Sequence, residues 1–100
     1  MTSWKCRLTL VGSARAVADF CKSTGWSSTM AARYIDWLQL SPGRHVCQFV
    51  TDKAPVTQLQ KISRRWAQLT LLLDFDDEEN RIKGLARAKR GQIEHHKINY

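Results

Sequence analysis

The chain has 100 residues, 43% of them hydrophobic and including four Trp and three Phe, and its 16 Lys and Arg outnumber nine Asp and Glu for a net charge of +7. At this length folding hides roughly two-thirds of the unfolded chain's surface, so one core without covalent staples, and a single domain spanning residues 1–100, are expected. Cys6, Cys21 and Cys47 are widely spaced, with no C-x-x-C pair and no partnering histidine, so neither a disulfide framework nor a zinc site is indicated; no leader-like start and no apolar run approaching ~18 residues stands in the chain, so no membrane span and a cytoplasmic location are expected.

In chain order, Trp4, Cys6, Leu8 and Leu10 alternate with Lys5, Arg7 and Thr9, which predicts a half-buried strand with a basic outer face. Gly12 and Ser13 end it. Ser13 is suited to cap a helix whose apolar face is Val17, Phe20 and Cys21, with Gly25 as its stop. Residues 26–43 are ambiguous, because Met30, Tyr34, Trp37 and Leu38 fit a helical stripe while Tyr34 to Leu40 also reads as a strand. A short helical turn near Thr29 followed by a strand from about Tyr34 is favoured, since Ser41-Pro42-Gly43-Arg44 is turn chemistry leading into the β-rich run His45 to Thr51. Pro55 then opens a second helix with the stripe Val56, Leu59, Ile62 and Trp66, expected to end near Gln68.

From Leu69 the chain reads as two successive hairpins. With Asp77, Glu78, Glu79 and Asn80 as the first turn, Asp76 faces Arg81, Asp74 faces Lys83, Leu72 faces Leu85 and Thr70 faces Arg87 on one surface. On the other, Phe75 faces Ile82, Leu73 faces Gly84, Leu71 faces Ala86 and Leu69 faces Ala88, large against small. A one-residue slip would destroy both patterns. Lys89-Arg90-Gly91 closes the second hairpin, setting Arg87 against Glu94 and Ile93 toward the core. Continuing that register would bury Lys97 and expose Ile98 and Tyr100, so a bulge at His95 or His96 is predicted to return Ile98 and Tyr100 to the core.

The order strand, helix, strand, strand, helix, strand, plus appended hairpin strands, predicts an α+β ferredoxin-like sandwich, with two helices on one face of an antiparallel sheet. The other face is open. Leu8-Thr9-Leu10-Val11-Gly12 before the first helix, and Phe49-Val50-Thr51 with Ala54-Pro55-Val56 before the second, resemble the ferredoxin-like family typified by the plasmid protein YubB and its phage relatives. Leu69 to Phe75, the acidic turn and Gly84 resemble that family's closing part. The resemblance implies a bacterial mobile-element setting, on a plasmid, phage or integron, and transfers no catalytic motif.

The open face should display Lys5, Arg7, Arg81, Lys83 and Arg87 around a central apolar pair, Leu72 and Leu85. A central apolar spot rimmed by charge is how a protein partner or a second copy is received. The acids before the first turn neutralise much of the basic run from Arg81 to Lys97, leaving Lys89, Arg90 and Lys97 as the candidate phosphate contacts. That surface lacks the aromatic platforms on which ferredoxin-like RNA readers stack bases. Adjacent His95 and His96 point to opposite faces of a strand, and neither they nor His45 stand with a carboxylate at ligand spacing, so no metal and no catalytic residue are expected, although His95 or His96 with Lys97 is a conceivable ribonuclease site. The acids from Asp74 to Glu79 lack the spaced ligands and central glycine of a calcium loop. The expectation is a non-enzymatic accessory protein without cofactors that binds a protein or itself, for instance an inhibitor of a host defence complex. The alternative is a nucleic-acid-binding module on the basic C-terminal strands; no membrane or small-molecule partner is indicated.

Overall fold

The computed structural model describes residues 3–100. The first alternating run forms strand β1, Trp4–Val11, with Cys6, Leu8 and Leu10 buried. Ser13 caps helix α1, Ala14–Lys22: its Oγ accepts from the Ala16 amide at 3.2 Å, satisfying one of the free amides of the first turn. Gly25 does not stop this helix. The chain turns at Ser23, whose Oγ accepts from the Gly25 amide at 3.2 Å, and Gly25 opens a second short helix, α2, Gly25–Met30. That early break lets Trp26 fold back and stack on Phe20, with ring centroids 5.4 Å apart.

The ambiguous stretch resolves as α2 followed by strand β2, Arg33–Ser41, which turns through Pro42 and Gly43 into β3, Arg44–Thr51. Thr51 is fully buried, and its hydroxyl donates to the Met30 carbonyl while accepting from the Lys53 amide at 3.1 Å, so it fastens the end of α2 to the end of β3. Pro55 lies in the first turn of helix α3, Pro55–Arg65, three residues shorter than expected because Trp66 leaves the helix to press against Phe20 at 5.0 Å. Strands β4, Thr70–Asp77, β5, Ile82–Lys89, and β6, Gln92–Asn99, follow.

Among the described residues, six strands form one antiparallel sheet in the order β2-β3-β1-β4-β5-β6. All three helices contribute to one core on one side of it: Val17 and Phe20 from α1, Trp26 and Met30 from α2, and Leu59 and Ile62 from α3 meet Leu8, Leu10, Leu71 and Leu73 of the central strands. Phe20 is its hub, in contact with Trp26, Trp37 and Trp66.

Two features of the hairpins differ from expectation. The β4–β5 register is displaced by two residues: Asp76 pairs with Lys83, Asp74 with Leu85, Leu72 with Arg87 and Phe75 with Gly84. Both faces survive, since a slip of two preserves the alternation. Steric demand selects among the equivalent registers. A Cβ on Gly84 would lie 2.1 Å from Cζ of Phe75, so the Phe75 ring occupies the space a side chain would need. Asp77 is consequently a buried strand residue rather than a turn residue, and its carboxylate accepts from the Asn80 amide at 3.2 Å and from Asn80 Nδ2 at 2.6 Å. The turn is Glu78–Arg81, with Arg81 in the left-handed region at φ 57°.

Strand β6 also departs from the expected course. Its ladder with β5 runs unbroken from Lys89 opposite Gln92 to Ile82 opposite Asn99, so the bulge at His95 or His96 is absent and Ile98 and Tyr100 are exposed. Arg87 does face Glu94, and Ile93 packs partly against the core. Beyond Ile93 every residue of β6 is exposed, His95 and Lys97 on the helix side included. No core exists there for Ile98 to enter, and Lys97 stays in water without a bulge.

Candidate functional site

Among the described residues nothing covers the sheet face opposite the helices, and the registers place its side chains in rows. One row across the strands is Leu38, Val46, Thr9, Leu72, Arg87 and Glu94; the next is Asp36, Gln48, Arg7, Asp74, Leu85 and His96. A third contains Val50, Lys5, Asp76, Lys83 and Ile98. Leu72 and Leu85 are therefore diagonal neighbours rather than a facing pair, and Ile98 continues the same diagonal onto β6. The result is an apolar stripe, extended toward β2 by Val46 and Leu38, in which Leu38, Leu85 and Ile98 are 61%, 60% and 62% exposed.

Charge flanks the stripe in alternating columns: Lys5 and Arg7 on β1, Asp74 and Asp76 on β4, Lys83 and Arg87 on β5. Lys5 is paired with Glu78 at 3.0 Å. The Tyr100 hydroxyl donates to Asp76 Oδ1 at 2.8 Å, its amide donates to the Arg81 carbonyl at 2.8 Å, and Lys83 Nζ sits 5.0 Å from its ring centroid. That hydrogen bond to Asp76, before any other influence, pushes the phenol above its ordinary range. Between the columns lies a shallow depression of about 660 Å³ lined by Arg7, Asp74, Lys83, Leu85, His96 and Ile98 among others.

Of the residues singled out from sequence, Lys5, Arg7, Leu72, Lys83, Leu85 and Arg87 do share this face. Arg81 belongs to the turn and contributes its carbonyl to Tyr100. Lys89 and Arg90 stand together at the second turn, but Lys97 does not join them: it is opposite Gly84, five rungs or about 17 Å along the ladder, and on the helix side. Leu38 and Ile98 were missed. The alternation of Asp36 and Leu38 carried a signal for the first, and the simple continuation of the β6 register carried it for the second.

The histidines are dispersed. His95 and His96 lie on opposite faces of β6. His45 turns its Nδ1 to Cys21 Sγ at 3.2 Å, and burial pushes the Cys21 thiol up, which makes the pair a poor source of thiolate. Cys6 and Cys47 are buried in the sheet, and burial above all pushes both to about 12.

Fold and site together define an α+β domain with an open antiparallel sheet and three helices on one side. No family model and no curated protein matches the sequence. Among solved structures, the crystal structure of the protein api92 from Yersinia pseudotuberculosis, a DUF1281 protein, is similar in fold, with a TM-score of 0.58 at 15% identity over 75% of this chain. The chain spans 28% of the length of that protein.

Proposed function

We propose that the protein is a small non-enzymatic binding module that receives a macromolecular partner, a protein or a second copy of itself, on the open sheet face. The observation that carries this reading is the diagonal stripe Leu72, Leu85 and Ile98 inside a charged rim, on a face no helix covers. Apolar side chains left in water at the centre of a sheet, ringed by charges of both signs, suit a partner whose contact is apolar at the middle and polar at the edge. The order β2-β3-β1-β4, with α1 and α2 bridging β1 to β2 and α3 bridging β3 to β4, supports assigning the ferredoxin-like plan. The resemblance of Leu8 to Gly12 and Phe49 to Thr51 to the YubB family supports a mobile-element origin, one version being an inhibitor of a host defence complex.

The test is sedimentation velocity at micromolar concentration alongside affinity capture from a nuclease-treated bacterial lysate, each with the wild type and Leu85→Glu. Leu85 is exposed, so the substitution leaves the fold intact and puts a charge into the stripe. A dimer or a captured protein that disappears in Leu85→Glu is the expected result. A wild type that is monomeric and captures nothing, or a complex indifferent to Leu85→Glu, overturns the proposal.

A further inference from the structure

Acids and cations intermingle at one pole of the sheet, whereas cations in no ion pair among the described residues collect at the other. Five of the acids, Asp52, Asp76, Asp77, Glu78 and Glu79, stand at the pole made by the start of β1, the end of β3 and the β4–β5 turn. Both ion pairs among the described residues, Lys5 with Glu78 at 3.0 Å and Arg33 with Asp52 at 2.8 Å, belong to that pole. The opposite pole is made by the end of β1, the β2–β3 turn, the end of α3 and the β5–β6 turn. Gly12 donates its amide to the Gly43 carbonyl there at 3.1 Å.

This second pole exposes Arg44, Arg64, Lys89 and Arg90, and none of them is in an ion pair among the described residues. On the β5–β6 hairpin that carries Lys89 and Arg90, the one acid among the strand residues, Glu94, is the cross-strand partner of Arg87. The cations come from three separate parts of the chain, and the backbone of the turn that carries two of them is fixed. The Gly91 amide donates to Ser63 Oγ at 2.9 Å, and Gln60 Nε2 donates to the Gly91 carbonyl at 2.9 Å, which pins the second turn to α3. A Cβ on Gly91 would lie 2.5 Å from Arg64 Cγ, so the Arg64 stem runs across the turn that carries Arg90.

The geometry points to the phosphate backbone of a nucleic-acid duplex as the ligand of this pole. Like charges held together without counter-charges are relieved by a polyanion. Arg44 and Lys89 begin and end four adjacent strands, β3, β1, β4 and β5, a span of about 14 Å from the strand spacing. That is close to the roughly 12 Å width of the major groove of B-form DNA, so both backbone walls are within reach of one pole. The exposed tyrosines, Tyr34 and Tyr100, stand at the other pole, away from these cations, so stacking of single-stranded bases on them would not involve this cluster. The contact reads charge and spacing, not sequence, and is independent of the apolar stripe on the open face.

The test is fluorescence anisotropy with a labelled DNA duplex of arbitrary sequence, between about 50 and about 200 mM salt. If four phosphates are neutralised, apparent affinity falls about 150-fold over that range. The triple variant Arg64→Gln, Lys89→Gln, Arg90→Asn is expected to bind more weakly and to lose only about 3.5-fold. Arg90→Asn places Asn before Gly91 in a turn whose two residues have φ 54° and 80°, a sequence that turn favours, so the variant keeps its fold. Leu85→Glu and Lys5→Gln are expected to leave the salt slope unchanged. Absent binding at the lower salt, a slope indifferent to the triple variant, or a slope changed equally by Lys5→Gln would overturn the inference. So would polyglutamate of matched charge competing as well as unlabelled duplex.

Discussion

Gly84→Ala tests the β4–β5 register directly. In the register observed, Phe75 faces Gly84, and the added methyl carbon would lie 2.1, 2.4 and 2.8 Å from Cζ, Cε2 and Cε1 of the Phe75 ring. A carbon–carbon contact needs about 3.5 Å or more, so the ring has to move by more than an ångström. It has little freedom to do so: Phe75 is 3% exposed and packs edge-on against Trp4 with centroids 5.6 Å apart. Overpacking of this kind costs about 1–3 kcal/mol, partly offset by the 0.4–1 kcal/mol that alanine gains over glycine by restricting the unfolded chain. A net loss of about 1–2 kcal/mol is expected, or roughly 4–16 °C in Tm for a domain of this size. The assay is thermal and urea unfolding of Gly84→Ala, Phe75→Leu, Leu73→Ala and the two double variants. Phe75→Leu should absorb most of the penalty of Gly84→Ala, giving a coupling of at least about 1 kcal/mol between the two sites. In the register with Leu73 opposite Gly84, rescue would come from Leu73→Ala instead. A neutral Gly84→Ala, or rescue through Leu73, would refute the reasoning.

Because burial raises the Cys6 and Cys47 thiols to about 12 and both are shielded from solvent, native protein in iodoacetamide at mildly alkaline pH should be alkylated at Cys21 alone, with the other two reacting only on unfolding; equal labelling of all three, read by mass spectrometry, contradicts the packing. Tyr100 donates to Asp76 only while its phenol is protonated, and the bond raises its pKa above 10.0. Its contribution is therefore complete below pH 10 and is lost as pH rises through the raised value. An ultraviolet absorbance titration of the Tyr34→Phe protein should show the remaining phenol shifted upward, and Asp76→Ala should bring it back down; an unshifted phenol would mean that the C-terminal contact does not form in solution.

Much of the architecture is legible locally. The two-residue period of β1, β4 and β5 assigns each side chain to a face, and that assignment survives in the structure. Ser13, Pro42-Gly43 and Pro55 mark element boundaries by their own backbone and hydrogen-bonding chemistry. The register is not local in that sense, because shifting β5 by two residues leaves both faces intact and changes only which side chains oppose one another. The choice falls to the fit of Phe75 over Gly84 and of Asn80 onto Asp77. The bulge expected in β6 rested on the premise that apolar Ile98 must be buried. The core ends at Ile93, so the premise fails for a reason visible only once the helices are placed.

Sequence alone determined the alternating faces of β1, β4 and β5, the starts of α1 and α3 and the excess of positive charge, since each depends on composition or on residues within a turn or two of one another. Tertiary structure decided where those features meet. It split the basic run after Arg81 between two poles, joined Lys89 and Arg90 to Arg64 and Arg44, and aligned Leu72, Leu85 and Ile98 on one diagonal. The physical reason is that these neighbours lie on different strands and helices, and only the strand order and register bring them within reach of a common ligand.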